Sequence, residues 1–450
     1  MTAQARIAII GSGPAGFYTA EALLRALHDC SVDMFERLPM PHGLVRYGVA
    51  PDHQKLKQVM LVFDRIVDDP RFALHAAVEV GRDISLAELR ERFDAVVVAT
   101  GNSVGRCLGI AGESLPNVIG SAPFVGWYNG HPDHLDTAVD LTATSAVVVG
   151  VGNVALDVCR LLSLPLADIQ ASDMPQPVQQ AFARRGVRTI HVVARGAVNA
   201  TKFTFKEFRE LVALPGVRVH LLQADGWPEA SFAAPADEEA ARVAKWLREH
   251  ALRSRAPAGD FVDIFFWFHA EPSEFVGTAH VHQMRLQPSR GASAAFGDAP
   301  TAIDAGLVVT CIGYRHDPLP GVPFDAASGT IRHRSGQVLD AEGREVPGLF
   351  VSGWAKRGAT GIIGTNRADG YETATTMIGG LSELTRHAAA RRGPSLAALF
   401  DERRLTPISY AQWRVVDRHE RLRGGALGKP REKLLSHSEA LSVLRDQCDA

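Results

Sequence analysis

The sequence is poor in cysteine, and its few cysteines are scattered. The chain has five of them, and no two form a Cys-x-x-Cys pair: Cys30, Cys107, Cys159, Cys311 and Cys448. This spacing argues against a disulfide framework and a cysteine-rich metal cluster, so we predict no metal site. A reducing cytoplasm is the predicted compartment, for a cytoplasmic enzyme or a processed mature form.

An excess of charge and a membrane-spanning apolar run are also missing. The formal net charge is −2, which gives no overall attraction to nucleic acid or to membranes. The first predicted strand begins a handful of residues after Met1, which leaves no room for a signal or transit peptide. The 450 residues, 46% of them hydrophobic, are typical of a globular chain with two or three domains.

The stretch from Arg6 to Glu36 predicts the first half of a dinucleotide-binding βαβ unit. A buried strand, RIAII, leads through GSGPAG into an apolar-periodic helix and a second strand that ends at Glu36. The glycines allow a tight turn, close approach of a pyrophosphate and helix packing, and the Glu36 carboxylate can accept ribose hydroxyls. Such a motif alone often marks only a turn, but its context here favours binding. The predicted turn comprises Gly11, Gly13, Pro14, Ala15 and Gly16.

A second nucleotide unit is predicted from Ser145 onward. A strand, SAVVV, precedes Gly150-Val-Gly152-Asn-Val-Ala155, which is the GxGxxA variant of the same motif and opens a helix. The span before the next strand, Val187–Ala194, is long and is expected to hold an inserted loop and helix.

The charge at the strand end differs between the two units. Arg195 follows the second strand of the second unit, where the first unit has Glu36. A carboxylate repels a 2′-phosphate and a guanidinium attracts it, so the first site suits FAD or NAD and the second suits NADP. Taken alone, Arg195 could be a surface arginine and Asn153 a helix cap.

Four glycines, Gly353, Gly358, Gly361 and Gly364, lie close together just before a predicted helix. This loop is well placed to bring backbone against a flat ring. The helix N-terminus could then stabilise negative charge on a reduced flavin. A plain linker is the less favoured interpretation.

Further elements are predicted from local patterns. Buried strands are expected near residues 94–101, 307–313 and 349–353, and antiparallel strands over 263–277 and 280–289. A helix capped by Pro51-Asp52 should turn Leu56, Val59, Met60 and Phe63 inward, with His53 as a solvated residue in its first turn. Glu207 and Glu210 lie one turn apart on another predicted helix, and the residues after Gly393 are expected to form a peripheral helical appendage.

A basic stripe interrupts this nearly neutral chain. Its members share one predicted helix and the residues after it: Arg242, Lys245, Arg248, Arg253 and Arg255. The stripe indicates either a solvated face or a dock for an acidic partner.

Several blocks together resemble one family. GSGPAGFYTAEAL, GLVRYGVAPDHQKLK, VVVATGN, GNVALDVCRLL, RGAVNATKFTFKEFREL, CIGYR and SGWAKRGATGIIGTN are similar to the adrenodoxin-reductase type of ferredoxin–NADP reductase. These blocks run from Arg6 to Asn366, and the tail YAQWRVVDRHE is similar as well. The resemblance implies an α/β protein with two Rossmann-like dinucleotide-binding domains, the NADP domain (102–320) being inserted into a discontinuous FAD domain (1–101 and 321–450).

The resemblance also implies cofactors and site residues. The cofactors are FAD and NADP(H), and His53 and Glu210 are expected near the flavin as proton-handling groups. FAD-binding positions are Ala15, Glu36, Leu44, Val80, Trp354, Gly361, Ile362 and Ile363. NADP-binding positions are Arg106, Asn153, Val154, Ala155, Leu156, Arg195, Glu207 and Gly361, with Gly152 in the turn itself.

One position departs from the family pattern. Two adjacent arginines are usual where this chain has Arg195-Gly196, and Ala197 replaces the glycine that follows them. One guanidinium fewer removes about 1–3 kcal/mol of charge-assisted hydrogen bonding to a 2′-phosphate. We therefore predict that NADPH is preferred, but less strictly, and Lys202 is a conceivable substitute.

The predicted function is electron transfer from NADPH through FAD to ferredoxin or another small acidic carrier, with Arg242, Lys245 and Arg248 as the dock. An alternative is an NAD(P)H-dependent flavin oxidoreductase with relaxed nucleotide preference and another acceptor. A flavin disulfide reductase is disfavoured because no Cys-x-x-Cys pair exists. A non-enzymatic nucleotide-binding module would show no flavin reduction by NADPH.

Overall fold

The computed structural model describes residues 4–222, 237–251, 261–289, 301–386 and 395–448. The chain divides into two compact units. Unit 1 comprises Met1–Val49, His53–Val104 and Tyr314–Ala450, and unit 2 comprises Ala50–Asp52 and Gly105–Gly313. No helix within the described ranges is long and apolar enough to cross a membrane.

Strands and helices alternate along most of the chain, as the βαβ interpretation predicts. The first part contains β1 (Ala5–Ile10), α1 (Pro14–Ala26), β2 (Cys30–Glu36), α2 (Leu44–Tyr47), α3 (Gln54–Lys57), α4 (Met60–Val67), β3 (Phe72–Ala76), α5 (Leu86–Arg92), β4 (Ala95–Val98) and β5 (Val104–Gly105). The middle part contains β6 (Val118–Gly120), α6 (Ser121–Asn129), β7 (Ser145–Val149), α7 (Asn153–Ser163), α8 (Leu166–Gln170), α9 (Gln176–Ala183), β8 (Thr189–Val193), α10 (Phe205–Val212), β9 (Val217–Leu222), α11 (Glu238–His250), β10 (Val262–Trp267), β11 (Ala270–Gly277), β12 (Val281–Pro288), β13 (Thr301–Asp304) and β14 (Leu307–Thr310). The last part contains β15 (Tyr314–Arg315), β16 (His333–Arg334), β17 (Gln337–Leu339), β18 (Glu345–Val351), α12 (Trp354–Arg357), α13 (Thr365–Arg386), α14 (Leu396–Glu402), α15 (Tyr410–Ala426) and α16 (His437–Cys448).

Unit 1 is built on a seven-stranded sheet in the order β16-β17-β18-β4-β1-β2-β3. The strands from β18 to β3 are parallel, and β16 and β17 join them antiparallel. Ile7 and Ile9 of β1 pack into the core on one face, and Ala8 and Ile10 into the core on the other. Parallel strands covered on both faces need continuous apolar runs, which is why the run Ala95–Val98 was predictable.

Unit 2 has a six-stranded parallel sheet in the order β6-β14-β7-β8-β10-β9 and a separate antiparallel sheet, β11-β12-β13. The antiparallel prediction is confirmed for β11 and β12 and is wrong for the segment before them. Val262–Trp267 runs parallel between β8 and β9, and the five residues after Val262 are buried. A central strand of a covered parallel sheet is apolar throughout, so its composition does not reveal its direction.

The helix predicted after Pro51-Asp52 is divided. His53 precedes the single turn of α3, and α4 begins only at Met60. Phe63 is buried as predicted, whereas Leu56 is 40% exposed and Lys57 is buried in its place. The chain turns between the two helices, so the helical period does not carry over from one to the other.

The C-terminal segment differs from the peripheral appendage that the sequence predicts. In unit 1, Trp413 and Glu420 of α15 are buried, and Arg46 donates two hydrogen bonds of 2.5 and 2.8 Å to the Glu420 carboxylate. The Arg46 guanidinium also lies 5.0 Å from the centre of the Trp413 ring. The Arg46 charge lowers the pKa of Glu420, although burial alone would raise it. This segment therefore forms part of the core of unit 1.

Candidate nucleotide-binding sites

The first glycine turn joins β1 to α1 in unit 1. Gly11 has φ +105°, and a Cβ built on it would lie 2.5 Å from the Ala99 carbonyl oxygen; a Cβ on Gly16 would overlap the Gly11 oxygen. The fold itself therefore requires these two glycines. Gly13 is different, because a Cβ there meets none of the described heavy atoms within 4 Å. The open space beside Gly13 fits a pyrophosphate at the N-terminus of α1.

Glu36 is held at the carboxyl end of β2. Its Oε2 accepts hydrogen bonds from the backbone N–H (3.1 Å) and the hydroxyl (2.6 Å) of Ser12, and its Oε1 accepts from the backbone N–H of Leu38 (2.9 Å). The side chain is nearly buried, so these bonds orient the carboxylate. A carboxylate has about four acceptor positions, which leaves capacity for ribose hydroxyls.

The late glycine loop lies against this first turn within unit 1. A Cβ built on Gly353 would lie 2.5 Å from the Ala15 Cβ, and one on Gly43 would lie 3.1 Å from the Gly13 Cα. Asp369 of α13 accepts a hydrogen bond from the Gly353 N–H. Segments more than 300 residues apart in sequence are thus brought together at one turn, with Leu44 and Trp354 directly following the two later glycines.

The remaining predicted FAD positions have mixed surroundings. Ile362 is 64% exposed and Leu44 40%, so both side chains are accessible to a ligand. Trp354 donates from Nε1 to the Thr360 carbonyl (3.0 Å). Val80 is buried in the core on one face of the unit 1 sheet, and Ile363 packs against the core on the other face. Gly361 has φ +80° and forms part of the loop turn.

The second glycine turn joins β7 to α7 in unit 2. Gly150 has φ +123°, and a Cβ on it would overlap the Cys311 carbonyl oxygen. The Gly150 N–H donates to the Val193 carbonyl at the end of β8 (2.8 Å). Gly152, like Gly13, faces open space in the described part of the chain, and Ala155 is fully buried in the position of the third glycine. This turn also fits a pyrophosphate.

Asn153 does not cap α7. It is the first residue of that helix, Gly152 is the N-cap, and the Asn153 Oδ1 accepts from the Thr204 N–H (2.9 Å). The cap interpretation is therefore wrong, because the amide instead joins the turn to the segment before α10. Lys202 belongs to the same segment, and its N–H donates to the Val151 carbonyl (3.0 Å). Val154 and Leu156 turn toward the core of unit 2.

Arg195 lies two residues beyond β8 and is exposed. It lines a cavity of about 560 Å³ together with Gly196, Glu271 and Ser289. Arg106 lies near the start of the main segment of unit 2, and its backbone N–H donates to the Gly313 carbonyl (3.0 Å). The carboxyl ends of the adjacent parallel strands β7 and β8 thus carry the glycine turn and the guanidinium at one edge of the sheet.

Three carboxylates lie on α10 and α7 in unit 2: Glu207 and Glu210 on α10, and Asp157 on α7. Thr204 caps the helix by accepting from the Glu207 N–H (3.3 Å), and the Glu210 carboxylate lies 3.8 Å from the Lys206 ammonium. Burial, with smaller effects from Glu207 and Glu210, raises the pKa of Asp157.

The Arg160 guanidinium donates a hydrogen bond to the Asp157 Oδ1 at 2.5 Å. Burial lowers the pKa of Arg160 itself to about 10. Asp157 and Arg160 were not predicted from the sequence, although both lie in the helix that the GxGxxA turn opens.

Other residues have settings that differ from their simple sequence interpretation. His53 is partly buried at the start of α3 in unit 1.

On α11, Arg242, Lys245 and Arg248 are exposed, but Arg242 pairs with Glu238 (2.5 Å) and Glu239 (3.8 Å). The helix therefore carries carboxylates that partly offset the basic stripe. Arg253 and Arg255 lie outside the described residues. Local sequence patterns also gave no signal for Ser12, Asp369 and Glu271, whose hydrogen-bond partners lie 16 to 24 positions away in the chain.

Comparison with known proteins agrees with this architecture. The two glycine turns, each opening a helix beside a parallel sheet, define an α/β protein with two dinucleotide-binding folds. The family model described as "Pyridine nucleotide-disulphide oxidoreductase" matches residues 5–195. The bovine (Bos taurus) mitochondrial NADPH:adrenodoxin oxidoreductase is 38% identical, covering 98% of this chain and 92% of the relative. The NADPH-ferredoxin reductase FprA of Mycobacterium leprae is also 38% identical, with 97% and 98% covered.

A solved structure supports the same relationship. Mycobacterium tuberculosis FprA in complex with NADPH has a TM-score of 0.89 and 37% identity, and the match covers 98% of this chain and 99% of that one. The chain belongs to the adrenodoxin-reductase-type ferredoxin–NADP reductases, which are FAD flavoproteins. The predicted family and fold class are thereby confirmed.

Proposed function

We propose that this protein transfers electrons from NADPH through bound FAD to a ferredoxin-type iron–sulfur carrier. The observation that best supports this proposal is the pair of glycine turns, each with one glycine facing open space. The strand after each turn and helix leads to a charged side chain, a carboxylate in unit 1 and a guanidinium in unit 2. When bound, FAD supplies the conversion of a two-electron hydride into the single electrons that an iron–sulfur carrier accepts. The chain's own residues bind and orient the two nucleotides.

In unit 1, the open side of Gly13 and the N-terminus of α1 bind the pyrophosphate, and Glu36 accepts the ribose hydroxyls. The loop from Gly353 to Gly364 brings backbone toward the ring. The N-terminus of α13 directly follows this loop and supplies a positive dipole end where negative charge develops. Leu44, Val80, Trp354 and Gly361–Ile363 complete the proposed FAD site.

In unit 2, Gly152 and the first turn of α7 (Asn153, Val154, Ala155 and Leu156) bind the NADP(H) pyrophosphate, and Arg195 binds the 2′-phosphate. Arg106 and Glu207 complete this proposed site. His53 and Glu210 are the proposed proton-handling groups. We propose 1–101 and 321–450 as the FAD domain and 102–320 as the NADP domain; the compact units divide a few residues inside these limits, after Val104 and after Gly313.

The test uses anaerobic, FAD-loaded protein. NADPH is expected to bleach the flavin absorbance, and a ferredoxin added afterwards is expected to be reduced in stoichiometric amounts. The control omits the nucleotide. A colourless protein that cannot take up FAD, or a flavin that NADPH does not bleach, would contradict the proposal. Bleaching followed by reduction of only non-ferredoxin acceptors would favour the alternative flavin oxidoreductase.

The carrier is proposed to be a ferredoxin or another small acidic protein in the cytoplasm, which corresponds to a ferredoxin–NADP(+) reductase activity. Its proposed dock is the exposed set Arg242, Lys245 and Arg248 on α11. Reversal of these three charges should raise the KM for ferredoxin and flatten its salt dependence. A matched triple reversal at the exposed Arg332, Arg334 and Arg344 of unit 1 should do neither. Unchanged ferredoxin turnover after the first reversal would eliminate this dock.

A further inference from the structure

The cavity beside Arg195 contains charge of both signs. In unit 2, its lining residues are Arg195, Gly196, Glu271 and Ser289, around a volume of about 560 Å³. A 2′-phosphate carries close to two negative charges, so a carboxylate in this cavity acts against the guanidinium. Nothing in the glycine motif or in the β8 strand end predicts that carboxylate.

The start of the strand that carries Glu271 is joined to the Arg195 segment by two backbone hydrogen bonds. The Ala270 N–H donates to the Ala194 carbonyl, and the His269 N–H donates to the Gly196 carbonyl, each at 3.0 Å. The buried Ser289 donates from its hydroxyl to the Arg195 carbonyl at 2.7 Å. Glu271 is therefore kept beside the arginine by the architecture of the antiparallel sheet.

The Glu271 carboxylate is itself oriented. Glu271 and Gln287 are paired across β11 and β12, and the Gln287 Nε2 donates to the Glu271 Oε1 at 3.0 Å. This bond occupies one acceptor position and leaves others for a ligand. A carboxylate accepts a hydrogen bond from a ribose 2′-hydroxyl, but it repels a phosphate at the same position.

The geometry points to Glu271 as a specificity-determining residue that weakens discrimination in favour of the 2′-phosphate. This inference rests on the proposed function, because it assigns the cavity to the adenosine ribose of the pyridine nucleotide. The single guanidinium of Arg195 attracts NADP(H), and the Glu271 carboxylate favours the 2′-hydroxyl of NAD(H). The chain thereby accepts both nucleotides, with a smaller preference than Arg195 alone would confer.

The test is a calorimetric titration of the FAD-loaded protein with 2′,5′-ADP and with 5′-AMP, which differ only in the 2′-phosphate. Glu271→Gln is expected to strengthen binding of 2′,5′-ADP about five- to tenfold at low salt and to leave 5′-AMP unchanged or weaker. Glu271→Asp, which keeps the charge, is expected to retain most of the wild-type ratio. The ratio of kcat/KM for NADPH over NADH should rise in parallel in the Gln variant.

Glu274→Gln is the matched control. Glu274 lies on the same strand, pairs with Arg285 at 2.7 Å and does not line the cavity. Its replacement by Gln changes the net charge by the same amount as Glu271→Gln. An equal shift in both Gln variants, or an unchanged affinity ratio in Glu271→Gln, would overturn the inference. If the wild-type protein binds 2′,5′-ADP and is reduced by NADPH, but the Glu271→Gln substitution has no effect on the affinity ratio, this inference alone is refuted. Failure of flavin bleaching instead refutes the proposed function.

Discussion

At the residue scale, the two strand-end side chains have very different surroundings. Glu36 is nearly buried and is already bonded to Ser12 and Leu38, so its position is set before any ligand arrives. Arg195 is exposed, and its backbone carbonyl accepts the Ser289 hydroxyl. A preorganised carboxylate loses little entropy on binding, whereas a long exposed guanidinium must be ordered by its ligand.

Glu36→Gln is expected to weaken FAD binding about tenfold, because an amide is a weaker acceptor for the ribose hydroxyls than a carboxylate. The amide also cannot accept both Ser12 and Leu38 bonds without presenting an N–H to one of them. Flavin fluorescence titration of the apoprotein gives the dissociation constant. Asp33→Asn, on the same strand and paired with His75 at 2.7 Å, is the control and should leave FAD affinity unchanged. Equal loss in both variants would count against the Glu36 role.

Arg195→Ala is expected to lower kcat/KM for NADPH about ten- to a hundredfold, since about 1–3 kcal/mol of phosphate bonding is lost. The value for NADH should change by less than about twofold, because NADH has no 2′-phosphate. Steady-state kinetics with both nucleotides measures this difference. Arg188→Ala, also exposed but adjoining the other end of β8, should affect neither nucleotide. Parallel loss with both nucleotides would show that Arg195 acts in some other way.

At the element scale, the strand–turn–helix junction combines two kinds of glycine. Gly11 is needed by the fold, because its φ is +105° and any Cβ would strike the Ala99 backbone. Gly13 has an ordinary φ of −77° at the N-cap of α1, and a Cβ there has room. The sequence motif does not separate these roles, but the packing around the turn does.

Gly13→Ala is therefore expected to leave the free energy of unfolding of the apoprotein within about 0.5 kcal/mol, while FAD binding falls at least about tenfold. Gly11→Ala is expected to destabilise the apoprotein by about 1–3 kcal/mol through backbone strain. Urea unfolding of both apoproteins, followed by FAD titration, distinguishes the two effects. Normal FAD affinity in Gly13→Ala would mean that the pyrophosphate does not approach this glycine.

At the scale of the whole molecule, buried neutral histidines make stability depend on pH. Burial lowers the pKa of His42 in unit 1 well below its ordinary value, and lowers that of His191 in unit 2 to about 4. The unfolded chain binds protons at these histidines near pH 6.5, and the folded chain binds them only at lower pH. Stability is therefore fully present above about pH 6.5 and is lost as the pH falls from there toward 4.

His191→Gln is expected to flatten this loss, because glutamine stays neutral and can still accept the hydrogen bond that Trp267 Nε1 donates to the ring (3.1 Å). Urea unfolding at pH 8, 6 and 5 measures the slope of the unfolding free energy against pH. His28→Asn removes an exposed histidine and is the control, for which the wild-type slope is expected. A Gln variant with the wild-type slope would exclude His191 as a source of the dependence.

Short patterns predicted the nucleotide turns because their physics is local. The turn at Gly11, the helix that starts at Pro14 and the strand that ends at Glu36 depend on neighbours within about one βαβ unit. Predictions failed where distant partners decide the outcome. The direction of β10 depends on the strands beside it, the exposure of Leu56 depends on a turn between two helices, and the burial of Glu420 depends on Arg46.

By itself, the sequence determined that two parallel-sheet units each carry a glycine turn, and which charge ends the second strand of each. Tertiary structure decided what surrounds those charges. Glu271 lies 76 positions from Arg195 in the chain, and only the backbone bonds between β11 and the Arg195 segment bring it to the same cavity. Electrostatic effects depend on distance in space, so the nucleotide preference of a strand-end arginine becomes apparent only when its neighbours across the fold are known.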